Sequence, residues 1–134
     1  MPESLKVTRR TPVPPSRVFR AWTDPEQYKK WFLARRIIMH QGVVGLFWFQ
    51  TEFEGRIWPH YGRFLRLEEA RLVEMTWMSE ATAGLESLVR VELKPAGKGT
   101  EITLTHSNLP DEKWRKQHEE GWVQLLATLD DLGP

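Results

Sequence analysis

The chain has 134 residues, with nineteen Lys and Arg against eighteen Asp and Glu and a net charge of +1. That length suits one domain, residues 1–134, with a core of its own, and the near-balance of charge leaves no electrostatic footprint for nucleic acid or an anionic membrane. Cys is absent, which excludes disulfides, thiolate metal sites and thiol catalysis.

The opening Met-Pro-Glu-Ser-Leu-Lys-Val lacks the apolar run of a signal peptide, and no apolar stretch approaches membrane-spanning length. A cytoplasmic protein without membrane partners is expected. Residues 5–10 alternate apolar and polar as a half-buried strand does, and Pro12, Pro14 and Pro15 stop it. Pro15 or Ser16 opens a short helix that puts Val18, Phe19 and Trp22 on one face. Thr23, three residues before Glu26, has the spacing of a capping box, with Pro25 in the first turn of a second helix. That helix carries Tyr28, Trp31 and Phe32 inward.

Beyond residue 35 the period falls to two. Ile37-Ile38-Met39 forms a short strand, Gly42 and Gly45 bracket a turn or bulge, and residues 46–53 form an aromatic strand that turns at Glu54-Gly55. The strand over roughly 57–68 holds Pro59, which donates to no ladder and is expected to mark a bulge. In 72–79, Val73, Met75 and Trp77 share one face; in 87–94, Val89, Val91 and Leu93 do. In 100–106, Ile102 and Leu104 oppose Glu101, Thr103 and Thr105, after a hairpin loop over Lys94–Gly99. Such clean alternation means an antiparallel sheet with one wet face.

From Asp111 to Leu132, Trp114, His118, Trp122, Leu125, Leu129 and Leu132 recur at spacings of three and four, one stripe of a long helix capped by Asn108 or Asp111. The order is strand, two helices, about six strands, long helix. One helix half-covers a sheet of that width, so curling the sheet around it is the economical way to bury both. The fold class is therefore α+β: a helix-grip fold, with a curved antiparallel sheet of about seven strands around the C-terminal helix.

Residues distributed along the chain carry a resemblance: Val18-Phe19-Arg20-Ala21-Trp22-Thr23-Asp24-Pro25-Glu26 with Trp31-Phe32, then His60-Tyr61-Gly62-Arg63-Phe64-Leu65 and Met75-Thr76-Trp77. Gly99-Thr100-Glu101-Ile102-Thr103-Leu104-Thr105-His106, Leu109-Pro110-Asp111-Glu112 and His118-Glu119-Glu120-Gly121-Trp122 complete it. Together they resemble homologues of the heat-shock-protein-90 ATPase activator's C-terminal domain, within the START-like (SRPBCC, birch-pollen-allergen-like) superfamily. The resemblance implies a cavity between the sheet and the C-terminal helix, but no catalytic motif, so no functional residue carries over. Two departures stand out. Val44-Gly45 replaces the paired glycine of many relatives, and Leu46-Phe47-Trp48-Phe49 is more aromatic than usual.

Seven Trp and six Phe beside two Tyr are the unusual feature of the composition. Trp31, Phe32, Trp77 and Trp122, with Trp48 if its face is inward, either wall an apolar ligand pocket or simply fill the core. His106 has the inward parity of Ile102 and Leu104, and His118 lies on the helix stripe. An imidazole there is either an acid, base or ligand-orienting group, or a buried side chain paired with its neighbours. No face can be assigned to His40 or His60. A metal site is not expected, because only two imidazoles point inward without a well-spaced carboxylate, and no cofactor motif is present. In 46–53 both faces are apolar, so a helix, a loop or a second subunit is expected over the outer one; a homodimer fits.

Three functions compete. The leading one is a binding protein holding a small apolar molecule between sheet and helix, its polar end fixed by His106 or His118. The alternatives are a cyclase- or hydrolase-like enzyme acting on an aromatic or polyketide-like compound, and an interaction module that modulates a partner such as a chaperone.

Overall fold

Alternation in the first strand places Leu5 and Val7 inward while Ser4, Lys6 and Thr8 stay in water. In the computed structural model, which describes residues 3–32, 34, 36–40, 42 and 45–132, this strand is β1 (Glu3–Thr11). Pro14 and Pro15 end the extended run and start α1 (Pro15–Thr23), where a missing N–H at the first position costs nothing. Asp24 interrupts the helix and then caps α2 (Pro25–Phe32), its carboxylate accepting from the backbone N–H groups of Glu26 and Gln27. The cap is thus Asp24 and not Thr23, whose hydroxyl donates back to the Phe19 carbonyl at 3.0 Å. α1 buries Val18, Phe19, Ala21 and Trp22, α2 buries Tyr28, Trp31 and Phe32, and the Trp31 indole N–H ties the two together by donating to the Ala21 carbonyl at 2.7 Å.

Six further strands follow: β2 (Arg36–Met39), β3 (Leu46–Phe53), β4 (Arg56–Glu68), β5 (Leu72–Ser79), β6 (Ser87–Ala96) and β7 (Gly99–Leu109). All pair antiparallel in one sheet of order β1-β7-β6-β5-β4-β3-β2, so α1 and α2 carry the chain from one edge to the other. The β3–β4 hairpin turns on Glu54 and Gly55, both with positive φ (53° and 75°), as a two-residue turn matched to strand twist requires. β6 and β7 meet in a tighter turn than expected, pairing as far as Ala96 with Gly99.

Pro59 makes no bulge. Gln50 and Pro59 are in register within an unbroken β3–β4 ladder, and β4 pairs with β5 only from His60 opposite Ser79 onward. Proline therefore sits just past the end of the next strand, where no ladder donor is needed. The register shift in β4 falls instead between Phe64 and Arg66.

The C-terminal helix, α3 (Glu112–Thr128), is capped by Asp111, which accepts from the Trp114 N–H at 3.0 Å. It ends earlier than its apolar stripe does. The Thr128 hydroxyl is shared between the carbonyls of Leu125 and Trp31, and Leu129–Leu132 continue as a 3-10 turn. Trp122, Leu126 and Leu129 are its buried residues, while Trp114, His118 and Leu125 are half-buried. Among the described residues no helix is long and apolar enough to cross a membrane.

Candidate functional site

Strand parity brings the aromatic side chains to one place. Phe47 and Phe49 of β3, Phe64 of β4, Met75 and Trp77 of β5, and Trp122 of α3 all face inward and are buried. Trp77 is the hub: its ring lies 5.1 Å from Trp122, 5.3 Å from His60, 5.5 Å from Phe49 and 5.7 Å from Phe32, centroid to centroid. Behind it Trp22, Tyr28 and Trp31 pack edge to face at 4.8–6.4 Å. Rings in mutual contact occupy the space between sheet and helices. Gly62 is part of that packing: a Cβ there would lie 2.2 Å from the Phe47 ring and 2.3 Å from the Thr76 carbonyl oxygen.

Three imidazoles border this lattice, and their hydrogen bonds divide them into two kinds. His106, fully buried on β7, accepts at Nδ1 from the Trp122 indole N–H at 3.0 Å. An indole nitrogen only donates, so the imidazole proton sits on Nε2. From there it is donated to the Ser87 hydroxyl at 2.7 Å, and Ser87 in turn donates to the Trp77 carbonyl. Register makes the chain possible, since Ser87 pairs with Trp77 across β5–β6 and Val89 with His106 across β6–β7. Burial, followed by the nearby His118, pushes the His106 pKa down to about 3. Both ring nitrogens of His106 are engaged, and it is neutral.

His118 and His60 differ. The His118 ring stands edge-on to His106 at 4.9 Å and its Nδ1–H donates to the Trp114 carbonyl one turn earlier at 2.7 Å. On β4, the His60 ring stacks flat on Phe49 (4.7 Å, 3°), with Nδ1–H donating to the Trp58 carbonyl at 3.1 Å. Neither Nε2 has a hydrogen-bond partner among the described residues, and both side chains are half-buried. Burial lowers the His60 pKa to about 4, with His118 adding to the effect and the Trp58 carbonyl opposing it; burial also lowers that of His118. At neutral pH each ring therefore presents an unprotonated acceptor nitrogen, with the His60 ring beside Trp77 and the His118 ring beside His106. Trp58, two residues from His60 on the same strand face, has a buried indole N–H without a partner among the described residues. The Tyr28 hydroxyl and Trp22 indole N–H are unpartnered in the same sense, deeper in the ring lattice.

Of the residues expected to line a pocket, Phe32, Trp77, His106, His118 and Trp122 form one contact set. Trp31 lies behind it under α1, against Trp22 and Phe32, on a separate cleft of about 310 Å³ with Arg17, Lys30, Thr128 and Leu132. Trp48 is not inward. It pairs with Ile38 and Tyr61 in a row across the outer face, with the Arg36 guanidinium over its ring. His40 is exposed, and Val44 lies outside the described residues. Sequence reasoning misses His60, because the bulge expected at Pro59 breaks the count of parity along that strand. Ser87 is legible in principle, since it shares the parity of Val89 and Val91. Among the described residues no group of three or more His, Asp or Glu has the arrangement of a metal site.

A family model described as Activator of Hsp90 ATPase homolog 1-like protein matches residues 12–133. The chain belongs to this family. Its solved structural neighbours include a protein from Chromobacterium violaceum, with 24% identity and a TM-score of 0.81 over 96% of this chain and 95% of that one. CalU16 from Micromonospora echinospora is 26% identical, with a TM-score of 0.73 over 94% of this chain and 73% of its own. Ara h 8.0201 shares the fold at 14% identity, with a TM-score of 0.77 over 98% and 97% of the two chains. No curated protein matches the chain in sequence. Membership in the activator-homologue family, with this α+β helix-grip architecture, accounts for the sheet, the two crossover helices and the position of α3; the imidazole arrangement has to be argued from this chain's own residues.

Proposed function

We propose that the protein binds a small, largely apolar, ring-bearing molecule at the rim of the sheet–helix interior beside Trp77, its polar end held by His60 and His118. The observation that supports this most is the difference between the imidazoles. His106 is consumed by Trp122 and Ser87, as a structural histidine is, whereas His60 and His118 each spend one nitrogen on a backbone carbonyl and leave the other unpaired. Neither Nε2 is among the side-chain atoms sealed from solvent without a partner, so both are open to a molecule at the edge of the aromatic interior. Aromatic faces beside a few convergent polar atoms are the usual make-up of a small-molecule site. Because rings already fill the deeper space, the ligand seats at the rim, and a larger one enters by displacing Phe32 or Trp77.

Native mass spectrometry of the protein purified from its own source tests this reading and reports subunit count at the same time. A non-covalent increment of small-molecule size, lost in a His60→Phe/His118→Phe double variant, is expected. An increment that persists in the folded double variant would contradict the assignment.

One observation favours an enzymatic reading of the same atoms. A neutral imidazole with a free Nε2 at neutral pH is in the protonation state of a general base. Conversion of a bound compound, abolished by His118→Gln with binding retained, distinguishes catalysis from simple binding. Self-association is supported separately by Ile38, Leu46 and Tyr61, which are 57%, 63% and 46% exposed on the outer face with Trp48 between them. Sedimentation of the wild type and of Leu46→Lys tests it: a dimer that the variant abolishes is expected, and a wild-type monomer at all concentrations would exclude it.

A further inference from the structure

A cleft lined by Arg17, Lys30, Trp31, Thr128, Asp131 and Leu132 lies where α1, α2 and the turn after α3 meet, with a volume of about 310 Å³. That volume is at the lower end of the range for small-molecule sites. Its walls are fixed from several sides. The Trp31 indole N–H donates to the Ala21 carbonyl at 2.7 Å, and the Trp31 carbonyl accepts from the Thr128 hydroxyl at 2.9 Å. Arg17 bridges α1 to both neighbouring elements. One terminal nitrogen donates to Gln27 Oε1 at 2.5 Å, and the other donates to the Leu132 carbonyl at 3.1 Å.

Charge on this lining is not compensated as it is elsewhere on the molecule. Arg9, Arg56, Arg63, Arg66, Arg90 and Arg115 each have a carboxylate oxygen within 3.0 Å. Arg17 is held by two neutral oxygens instead, and neither it nor Lys30 has a carboxylate partner among the described residues. The carboxylates around the cleft are engaged: Asp130 by Arg9, Glu26 by Lys29, and Asp24 by the first N–H groups of α2. Bracing the helices explains the two bonds that Arg17 makes, but neutral partners leave its charge without a counter-charge. A guanidinium braced in this way is also pre-organised, so a carboxylate that pairs with it gives up little side-chain freedom. Asp131 on the same lining sets the net charge at +1, which one carboxylate balances and a doubly charged phosphate exceeds. Trp31 and Leu132 supply the apolar part of the wall. We propose that this cleft is a binding site, separate from the rim beside Trp77, for a small monocarboxylate with an apolar body, its carboxylate held by Arg17 and Lys30.

Titration of the intact wild-type protein with benzoate, benzyl alcohol and inorganic phosphate at pH 7 and constant ionic strength, followed by amide NMR, tests it. Benzoate is expected to shift the amides of Lys30, Trp31, Thr128 and Leu132 saturably. Its Kd is expected to lie at least about tenfold below those of the neutral alcohol and of phosphate, the effect of one charge-assisted hydrogen bond. Lys30→Gln should weaken benzoate severalfold and Asp131→Asn should tighten it, since one removes an attracting charge and the other a repelling one. Both side chains are exposed, so neither change disturbs the core. Benzyl alcohol binding as tightly as benzoate would overturn the charge recognition, and so would benzoate affinity that neither variant alters. Phosphate binding more tightly than benzoate would overturn the monocarboxylate assignment. Benzoate that leaves these four amides unmoved, or that acts at His60 and His118 instead, would overturn the site itself. The ranking on wild-type protein decides without any variant having to fold.

Discussion

The Trp122 indole donates to Nδ1 of His106 at 3.0 Å across the gap between α3 and β7, and that contact makes a helix residue the determinant of a strand residue's tautomer. It continues through Ser87 to the carbonyl of Trp77, so α3, β7, β6 and β5 are joined by one polar thread inside an aromatic core. Each atom has one role in the thread, and removing any member leaves a buried partner unsatisfied.

Ser87→Ala is therefore expected to lower stability by about 1–3 kcal/mol, because the His106 Nε2–H and the Trp77 carbonyl both lose their partner. Trp122→Phe adds lost volume to a lost donor and is expected to cost about 3–5 kcal/mol. Urea denaturation of the two single variants and the double variant checks this. The effects should be non-additive, since both act through His106.

Acid should destabilise the fold before most carboxylates titrate. The folded pKa values of His106 and His60, about 3 and about 4, lie below their ordinary value of 6.5. The unfolded chain then binds more protons than the folded one below pH 6.5, so the imidazoles' contribution is intact above that pH. It is lost progressively as pH falls through the folded values. Between pH 6 and pH 5 the unfolding free energy is expected to fall by up to about 1.4 kcal/mol per pH unit for each such imidazole. His106→Gln should flatten that slope. A stability that is level from pH 7 to pH 5 would contradict the assignment of buried neutral imidazoles.

Gly62→Ala is expected to cost about 3 kcal/mol. The added methyl has to displace both the Phe47 ring and the backbone of Thr76, and the second of these gives way reluctantly. Thermal unfolding checks it. A Phe47→Leu change in the same chain should recover only part of the loss, because the carbonyl clash remains.

Residue period and capping chemistry make most of the architecture legible in the sequence. The alternation in 87–94 and 100–106 puts the buried and wet faces of β6 and β7 on the correct sides, and the stripe on α3 is right through Trp122 and Leu129. On β5 Val73, Met75 and Trp77 are buried as expected, but Leu72 and Thr76 of the opposite face are buried too. Leu126 escapes because the apolar spacing runs equally well through Leu125, its half-buried neighbour. The face of β3 is ambiguous because both sides are apolar; only pairing with β4 turns Phe49 toward His60 and leaves Trp48 outside. His60 escapes for a local reason, since whether a proline breaks a strand depends on where the neighbouring strand ends, and no residue of β4 encodes that. Which histidine is structural is equally illegible, because it depends on Trp122 and Ser87 meeting one ring from two different elements.

Imidazole nitrogen NMR at pH 7 tests most directly the claim that His106 is structural while His60 and His118 each keep a free Nε2. All three rings should be neutral, with His106 protonated on Nε2 and the other two on Nδ1. A protonated Nδ1 on His106, or a protonated Nε2 on His60 and His118, would contradict it.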